Sequence, residues 1–185
     1  MFGKVVVFGV GLIGGSFALA LKAAGEAAEI VGFGRRIGSL TQALELGIVD
    51  RAGFNVGQEV SNADLVLIAT PVGKTAEIMA RIAPCLGRRT LVTDAGSTKG
   101  NVIAAARVHF AARLGQFVPA HPIAGAENSG ALAARVDLYQ QKNVVLTPLT
   151  ENTPQTIAQV RSAWEACGAL IKVLTPEEHD QVFAA

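Results

Sequence analysis

The stretch Lys4–Gly14, KVVVFGVGLIG, decides the fold of this chain. Its first part, Lys4–Phe8, is a β-branched apolar run without polar alternation, which is typical of a parallel strand covered on both faces. Its last residues open an Ala- and Leu-rich segment, Leu12–Ala24, which predicts a helix. Gly9, Gly11 and Gly14 fit the pattern G-x-G-x-x-G. They lie where the strand ends and the helix begins, which is the context that the pattern requires.

Each glycine of this turn has a predicted task. Gly9 permits the tight turn, Gly11 lets the backbone approach a pyrophosphate, and Gly14 lets the helix pack against the strand. The free N–H groups at the helix start, at Leu12 and Ile13, favour an anion together with the helix dipole. The pattern therefore predicts a dinucleotide site, and the alternative is a strand–helix turn that is glycine-rich without a ligand.

The rest of the chain alternates apolar runs with Ala-rich segments. Further strands are predicted at Ile30–Phe33, Asp64–Ala69, Thr90–Thr93, Phe117–Ala120, Asn143–Thr147 and Ala169–Leu174. Further helices are predicted at Ser39–Leu46, Thr75–Ala83, Lys99–Leu114, Leu132–Tyr139 and Pro154–Cys167. This order predicts an α/β fold with a Rossmann-like, open, mostly parallel sheet and helices on both faces.

Composition narrows the class of protein. The chain has 185 residues, 50% of them hydrophobic and 17% charged, with a net charge of +1. Such a chain is too apolar for disorder and lacks the basic excess of a nucleic-acid binder. No apolar run reaches the length of a membrane span. Cys85 and Cys167 form neither a metal-binding spacing nor a disulfide framework, so we expect a cytoplasmic protein without a metal site.

The C-terminal segment predicts the start of another helix. Thr175 caps it, Pro176 takes the first turn and Glu178 completes a capping box. Val182 and Phe183 then lie on an apolar face, with no C-cap glycine before Ala185. We therefore expect a dinucleotide-binding domain at residues 1–174, and at 175–185 the first turns of a second, all-helical domain that is otherwise absent.

The end of the second predicted strand bears on the choice of dinucleotide. An acidic residue is expected about 20 positions after the glycines in NAD-binding chains. This chain instead has Gly34, Arg35 and Arg36 there, and Ser39 at the predicted helix start. Guanidinium groups bind a 2′-phosphate well, so NADP is favoured and NAD remains possible. The alternatives are arginines that are merely solvated, or that stack on adenine and accept either cofactor.

Three more motifs follow predicted strands: Ala69–Val72 (ATPV), Asp94–Gly100 (DAGSTKG) and His121–Gly130 (HPIAGAENSG). In an open α/β sheet the ligand crevice lies outside the carboxyl ends of the strands. All three segments are therefore expected beside the glycine turn.

Together with Gly9–Ser16 (GVGLIGGS), these motifs resemble the prephenate/arogenate dehydrogenase family of tyrosine biosynthesis. The resemblance covers essentially the whole chain, including Thr175–Val182 (TPEEHDQV). It implies an enzyme that oxidatively decarboxylates prephenate or arogenate with NAD or NADP. It further implies that this catalytic domain is followed by a helical domain for substrate binding and dimerisation, that the full-length protein is a homodimer, and that the chain alone is inactive.

The resemblance also implies residue roles. His121 matches the catalytic histidine, and Ser97 matches a serine that hydrogen-bonds both the substrate hydroxyl and this histidine. Glu127 matches an acid at the mouth of the substrate site. Thr70, Pro71 and Val72 resemble the loop beneath the cofactor. Ala126 and Asn128 depart from the residues expected there, which leaves the choice of substrate open.

Several neighbouring residues have two interpretations each. Ser97 or Thr98 could simply cap the helix at Lys99. Asp94 could form a turn or contact the cofactor, and Lys99 could attract substrate carboxylates or be solvated. His109 is expected to be structural, and His179 is expected at a surface or an interface.

Two other functions stay open at this point. One is a different NADP-dependent dehydrogenase of the hydroxyacid type, because one fold hosts many reactions. The other is a regulatory module that binds NADP without catalysis.

Overall fold

The computed structural model describes residues 1–34 and 37–183. Its strands are β1 Phe2–Phe8, β2 Ala27–Phe33, β3 Arg51–Ala52, β4 Leu65–Ile68, β5 Leu91–Asp94, β6 Phe117–Val118, β7 Ala120–Pro122, β8 Asn143–Leu146 and β9 Leu170–Val173. Its helices are α1 Leu12–Ala23, α2 Ile37–Glu45, α3 Val56–Ser61, α4 Val72–Ile82, α5 Lys99–Phe110, α6 Pro154–Ala166 and α7 Pro176–Phe183.

The main sheet has six strands in the order β3-β2-β1-β4-β5-β6, and every neighbouring pair is parallel. This is the strand order of dinucleotide-binding α/β domains, and it confirms the predicted fold class. Side chains of β1 alternate between two cores: Val5 and Val7 pack with α1 and α6, whereas Val6 and Phe8 pack with α4 and α5. Helices therefore cover both faces, which explains the uninterrupted apolar run.

A proline divides one predicted strand. The segment predicted as Phe117–Ala120 is two strands, β6 and β7, separated by Pro119. Proline has no N–H to donate to a ladder, so the pairing with β5 ends there. The chain then enters a second, three-stranded sheet, β7-β8-β9, in which β7 and β8 are antiparallel. The single sheet expected from the sequence is thus two sheets.

Other local predictions need correction. The strand β3 and the helix α3 were not predicted, because elements of two and six residues carry too little periodicity. The predicted helix Leu132–Tyr139 is a short 3₁₀ turn, Ala131–Ala133, followed by turns. Long-range hydrogen bonds hold this segment instead: Arg135 N donates to Ser16 Oγ, and Tyr139 Oη donates to the Ile13 carbonyl.

The last helix, α7, packs against α5. The predicted capping box is present, since Thr175 N donates to Glu178 Oε2 and Glu178 N donates to Thr175 Oγ1. Asp180 of α7 accepts hydrogen bonds of 2.7 Å from the backbone N–H groups of Lys99 and Gly100. It therefore caps α5 in place of Thr98, whose side chain makes no capping bond. The boundary between two domains at residue 174 stays a prediction.

A buried ion pair joins the ends of three elements. Lys99 Nζ lies 2.6 Å from Asp94 Oδ2 and 2.6 Å from the Ala120 carbonyl oxygen. The same carboxylate accepts hydrogen bonds from the N–H groups of Gly96 and Ala120. The two charged side chains are 0% and 1% exposed. Burial lowers the pKa of Lys99, and the Asp94 carboxylate opposes that shift.

This pair bears on two predictions. Lys99 is neither solvated nor available to attract a substrate carboxylate, because its ammonium is enclosed within the chain. Asp94 forms the turn at Gly96, as one interpretation held. Its carboxylate is buried and engaged by Lys99, and the contact of Asp94 with a cofactor stays a prediction.

Within the described ranges, none of the helices has the length and apolar character needed to cross a membrane.

Replacing Lys99 by Met should strongly destabilise the chain, because it leaves the Asp94 charge buried without a partner. The expected loss in the free energy of unfolding is about 3–5 kcal/mol. Urea unfolding measures it as a lower midpoint. Lys74→Met, which breaks an exposed pair with Glu77, is the control and should change the midpoint little. Equal midpoints for the two variants would contradict the assigned role of the pair.

Candidate active site

The glycine turn has the geometry that its sequence demands. Gly9 has φ +95°, and a Cβ there would stand 2.5 Å from the Ala69 carbonyl oxygen. A Cβ on Gly14 would overlap the Gly9 carbonyl oxygen and lie 2.9 Å from a methyl carbon of Val7. The tight turn and the close approach of helix to strand are therefore confirmed. Binding of a pyrophosphate stays a prediction.

The start of α1 is suited to an anion. Gly11 occupies the cap position with extended backbone, no side chain caps the helix, and its first turn contains no acidic residue. The N–H groups of Leu12 and Ile13 belong to this first turn, where helix N–H groups lack intrahelical partners. The helix dipole adds partial positive charge. Gly130 N lies 4.0 Å from the position of a Cβ on Gly11, so the end of the His121–Gly130 motif borders the glycine turn.

Thr70 supplies an unpartnered polar group next to this turn. Its Oγ1 is buried and, among the residues that the structure describes, has no hydrogen-bond partner. Its backbone N lies 3.2 Å from the position of a Cβ on Gly9. Buried hydroxyls normally have a partner, so a polar ligand on the turn fits this site. Pro71 is the exposed cap of α4, and Val72 is the first residue of that helix.

The residues predicted to select the dinucleotide are described only in part. Gly34 is exposed directly after β2, but Arg35 and Arg36 lie outside the described residues. Ser39 is the third residue of α2, since that helix begins at Ile37 rather than at Ser39. Its hydroxyl thus remains in the first turn.

The strand ends that carry the motifs are aligned. Ala69 N donates to the Phe8 carbonyl, and Ala95 N donates to the Ile68 carbonyl. Ala120, one residue before His121, is tied to Asp94. The glycine turn, the Thr70 loop, the Ser97 loop and His121 therefore lie along one edge, as the crevice rule predicts.

His121 is oriented by a residue that the sequence did not predict. In β7 it is half-buried, and its Nδ1 lies 2.8 Å from His179 Nε2. The serine expected to orient it, Ser97, is exposed, and no hydrogen bond joins these two side chains in the described part of the chain. Glu127 is exposed in the loop after His121. The predicted roles of Ser97 and Glu127 toward a substrate stay predictions.

The sequence predicted His179 at a surface or an interface, but the side chain is enclosed within this chain. It is 0% exposed, and its Nδ1 lies 2.8 Å from Asp180 Oδ1. The ring of Phe183 packs on both imidazoles, with centroid distances of 5.6 Å to His121 and 5.1 Å to His179. The available signal was a His-Asp dipeptide inside TPEEHDQV, a segment already singled out by the resemblance.

The surroundings of His121 keep its imidazole neutral. Burial lowers its pKa to about 4, because a proton on His121 would lose its hydration and would be repelled by Lys99 and by any proton on His179, whereas Asp180 attracts it. A neutral imidazole has one nitrogen that can accept a proton. Since Nδ1 is engaged with His179, Nε2 is the nitrogen left for a ligand.

The described residues contain no group of three or more His, Cys, Asp or Glu side chains that could hold a metal ion. What they bring together is a helix start suited to an anion, a hydroxyl without a partner among these residues, and a half-buried histidine. This arrangement can hold a dinucleotide and take up a proton beside it.

Known proteins resemble this chain over nearly its whole length. The chain is 33% identical to the cyclohexadienyl dehydrogenase of Zymomonas mobilis, covering 100% of this chain and 62% of that protein. It is 35% identical to the prephenate dehydrogenase of Bacillus subtilis, covering 96% of this chain but 48% of that protein. The chain thus spans about half to two-thirds of the length of these relatives.

Solved structures show the same fold. The prephenate dehydrogenase of Aquifex aeolicus, in complex with hydroxyphenyl propionate and NAD+, superposes with a TM-score of 0.92 at 32% identity, covering 100% of this chain and 64% of that one. The arogenate dehydrogenase of Synechocystis gives 0.89 at 31% identity, covering 98% and 63%. The family described as "Prephenate dehydrogenase, nucleotide-binding domain" matches residues 17–180. The chain therefore belongs to the prephenate dehydrogenase family.

Proposed function

We propose that this chain is the nucleotide-binding, catalytic part of an enzyme that oxidatively decarboxylates prephenate, arogenate or both. The observation that carries the proposal is the half-buried imidazole of His121, which is held through Nδ1 by His179 at the sheet edge that bears the glycine turn. The relatives support the substrate class, because they are named prephenate, cyclohexadienyl and arogenate dehydrogenases.

The reaction needs a base at this position. The bond between hydrogen and the hydroxyl-bearing ring carbon breaks, and hydride passes to the nicotinamide that the bound dinucleotide supplies. His121 Nε2 accepts the hydroxyl proton as the carbon–oxygen double bond forms. The ring carboxylate then leaves as carbon dioxide, its bonding electrons make the ring aromatic, and the proton returns to the ring oxygen. A general base must be unprotonated before the reaction begins, and the lowered pKa of His121 meets that condition.

We place the dinucleotide across the start of α1, with its pyrophosphate against the backbone of Gly11, Leu12 and Ile13. The unpartnered Thr70 hydroxyl is available to it on the neighbouring loop. NADP is favoured over NAD, because Arg35 and Arg36 replace the expected acid after β2. The homologue from Aquifex aeolicus holds NAD+, so the preference depends on these two residues of this chain.

The substrate is assigned to polar side chains on both loops that flank His121. Ser97 and Glu127 are exposed on the loops that flank His121 and are the polar groups that we assign to the substrate. The proposal also includes a helical second domain, a homodimer and a cytoplasmic location. It leaves open how the enzyme discriminates between the keto group of prephenate and the amino group of arogenate.

Calorimetric titration with NADP+ and with NAD+ tests the cofactor assignment on this chain. We expect NADP+ to bind more tightly, and the double substitution Arg35→Ala/Arg36→Ala to remove that difference, because it removes the partners of the 2′-phosphate. Arg88→Ala/Arg89→Ala is a matched control, since this exposed pair precedes β5 at the opposite edge of the sheet. Equal binding of both dinucleotides to the unaltered chain would contradict the NADP preference.

His121→Asn tests the catalytic assignment in the full-length protein. The variant should lower kcat by a factor of about 10²–10⁴, because general-base catalysis is lost, while NADP+ affinity stays unchanged. His109→Asn, on α5, is the control and should leave kcat unchanged. Formation of the reduced dinucleotide from prephenate and from arogenate is the readout. An unaffected kcat in the His121 variant would contradict its assignment as the base, and no reduced dinucleotide from either substrate with the unaltered protein would favour a regulatory module.

The lowered pKa of His121 predicts a pH dependence. The unfolded chain binds a proton at the ordinary pKa of 6.5, whereas the folded chain binds it only near 4. Between these values the unfolded state carries more protons, so this group destabilises the fold as pH falls through that window. NMR titration should find the His121 ring still neutral at about pH 5.5. A ring already mostly protonated at that pH would refute the prediction.

A further inference from the structure

Three side chains form a continuous hydrogen-bonded row that ends at His121. Asp180 Oδ1 lies 2.8 Å from His179 Nδ1, and His179 Nε2 lies 2.8 Å from His121 Nδ1. The row runs from α7 to β7, two elements that are far apart in sequence. His179 is fully buried within it.

The ionised carboxylate at one end decides where each proton lies. Asp180 also accepts the N–H groups of Lys99 and Gly100, and these bonds, together with His179, lower its pKa against the effect of burial. An ionised carboxylate only accepts hydrogen bonds, so His179 must donate from Nδ1. In a neutral His179 the other nitrogen, Nε2, is then an acceptor, and His121 must donate to it from Nδ1.

We propose that His179 and Asp180 are positioning residues that hold His121 in its Nδ1–H form, which leaves Nε2 with the lone pair that accepts the substrate proton. The first half of this inference concerns only the protonation of the imidazoles. The second half rests on the proposed function.

The same row accommodates the charge that catalysis creates. When Nε2 takes a proton, His121 becomes a cation whose Nδ1–H still donates to His179, so no bond in the row needs to rearrange. Lys99 opposes a positive charge on His121, and Asp180 attracts it. Among the other neighbours, Asp94 is paired with Lys99, and Phe183 carries no charge.

The attachment of Asp180 explains how the row stays fixed. Its carboxylate is held by two backbone N–H groups at the start of α5, where the helix dipole favours an anion. The side chain of Lys99, at that same helix start, is bonded to the carbonyl of Ala120, which precedes His121. Both ends of the row are therefore anchored to α5.

NMR of the imidazole nitrogens tests the inference on this chain without any assay of activity. At neutral pH, His121 should show a protonated Nδ1 and an unprotonated Nε2. His179→Phe keeps the ring packing against Phe183 but removes the acceptor, so His121 should shift toward its Nε2–H form. His179→Gln keeps an acceptor oxygen near the position of Nε2 and should restore the Nδ1–H form. Gln181→Ala, exposed on the same helix, is the control and should change nothing.

Kinetics of the full-length protein separate positioning from folding. His179→Phe should lower kcat by a factor of about 10–100, the size of the loss when the partner that orients a metal-ligating histidine is removed, with KM for the dinucleotide unchanged. His179→Gln should recover most of the loss.

The two proposals fail in different ways. An Nε2–H form of His121 in the unaltered chain would overturn the positioning role of His179 and Asp180, even if the enzyme oxidises prephenate. Conversely, an Nδ1–H form in a full-length protein that oxidises neither substrate would support that positioning role and overturn the proposed function. Because the unaltered chain alone reports the tautomer, the test survives a variant that fails to fold.

Discussion

The ion pair between Lys99 and Asp94 holds together the edge of the sheet on which the candidate site is built. It joins the end of β5, the first residue of α5 and the backbone just before His121. A buried charge costs several kcal/mol unless a partner with good geometry offsets it. Lys99 donates to the carbonyl of Ala120, and Asp94 accepts from its N–H group. The pair therefore also sets the position of Ala120 and, through it, of His121.

The packing of α7 follows from the same helix start. The backbone N–H groups of Lys99 and Gly100 need acceptors, and Asp180 supplies both oxygens. This contact places His179 under His121. Asp180 therefore caps α5 and also begins the row of hydrogen bonds that leads to the candidate base. One carboxylate has both a structural and a proposed functional role.

The fold could be predicted because its signals are local. The apolar run at Lys4–Phe8 and the glycines after it each depend on a few neighbouring residues, and the structure has the expected strand, turn and helix. Predictions failed where distant contacts overrule local preference. Pro119 moves the chain to a second sheet, and Ser16 and Ile13 hold the segment after Ala133 by hydrogen bonds from more than 100 residues away.

The sequence by itself determined the fold class, the glycine turn and the order of the motifs along one sheet edge, because periodicity and motif spacing encode them directly. It pointed to His121 as the candidate base only through the resemblance of the surrounding motif to a known family. Only the tertiary structure decided what surrounds that base. Lys99 and Asp94 are charged residues that a sequence places in solvent by default, and their burial as a pair appears only when β5, α5 and β7 pack. His179 is likewise separated from His121 by 58 residues, and no local pattern reports that their rings meet.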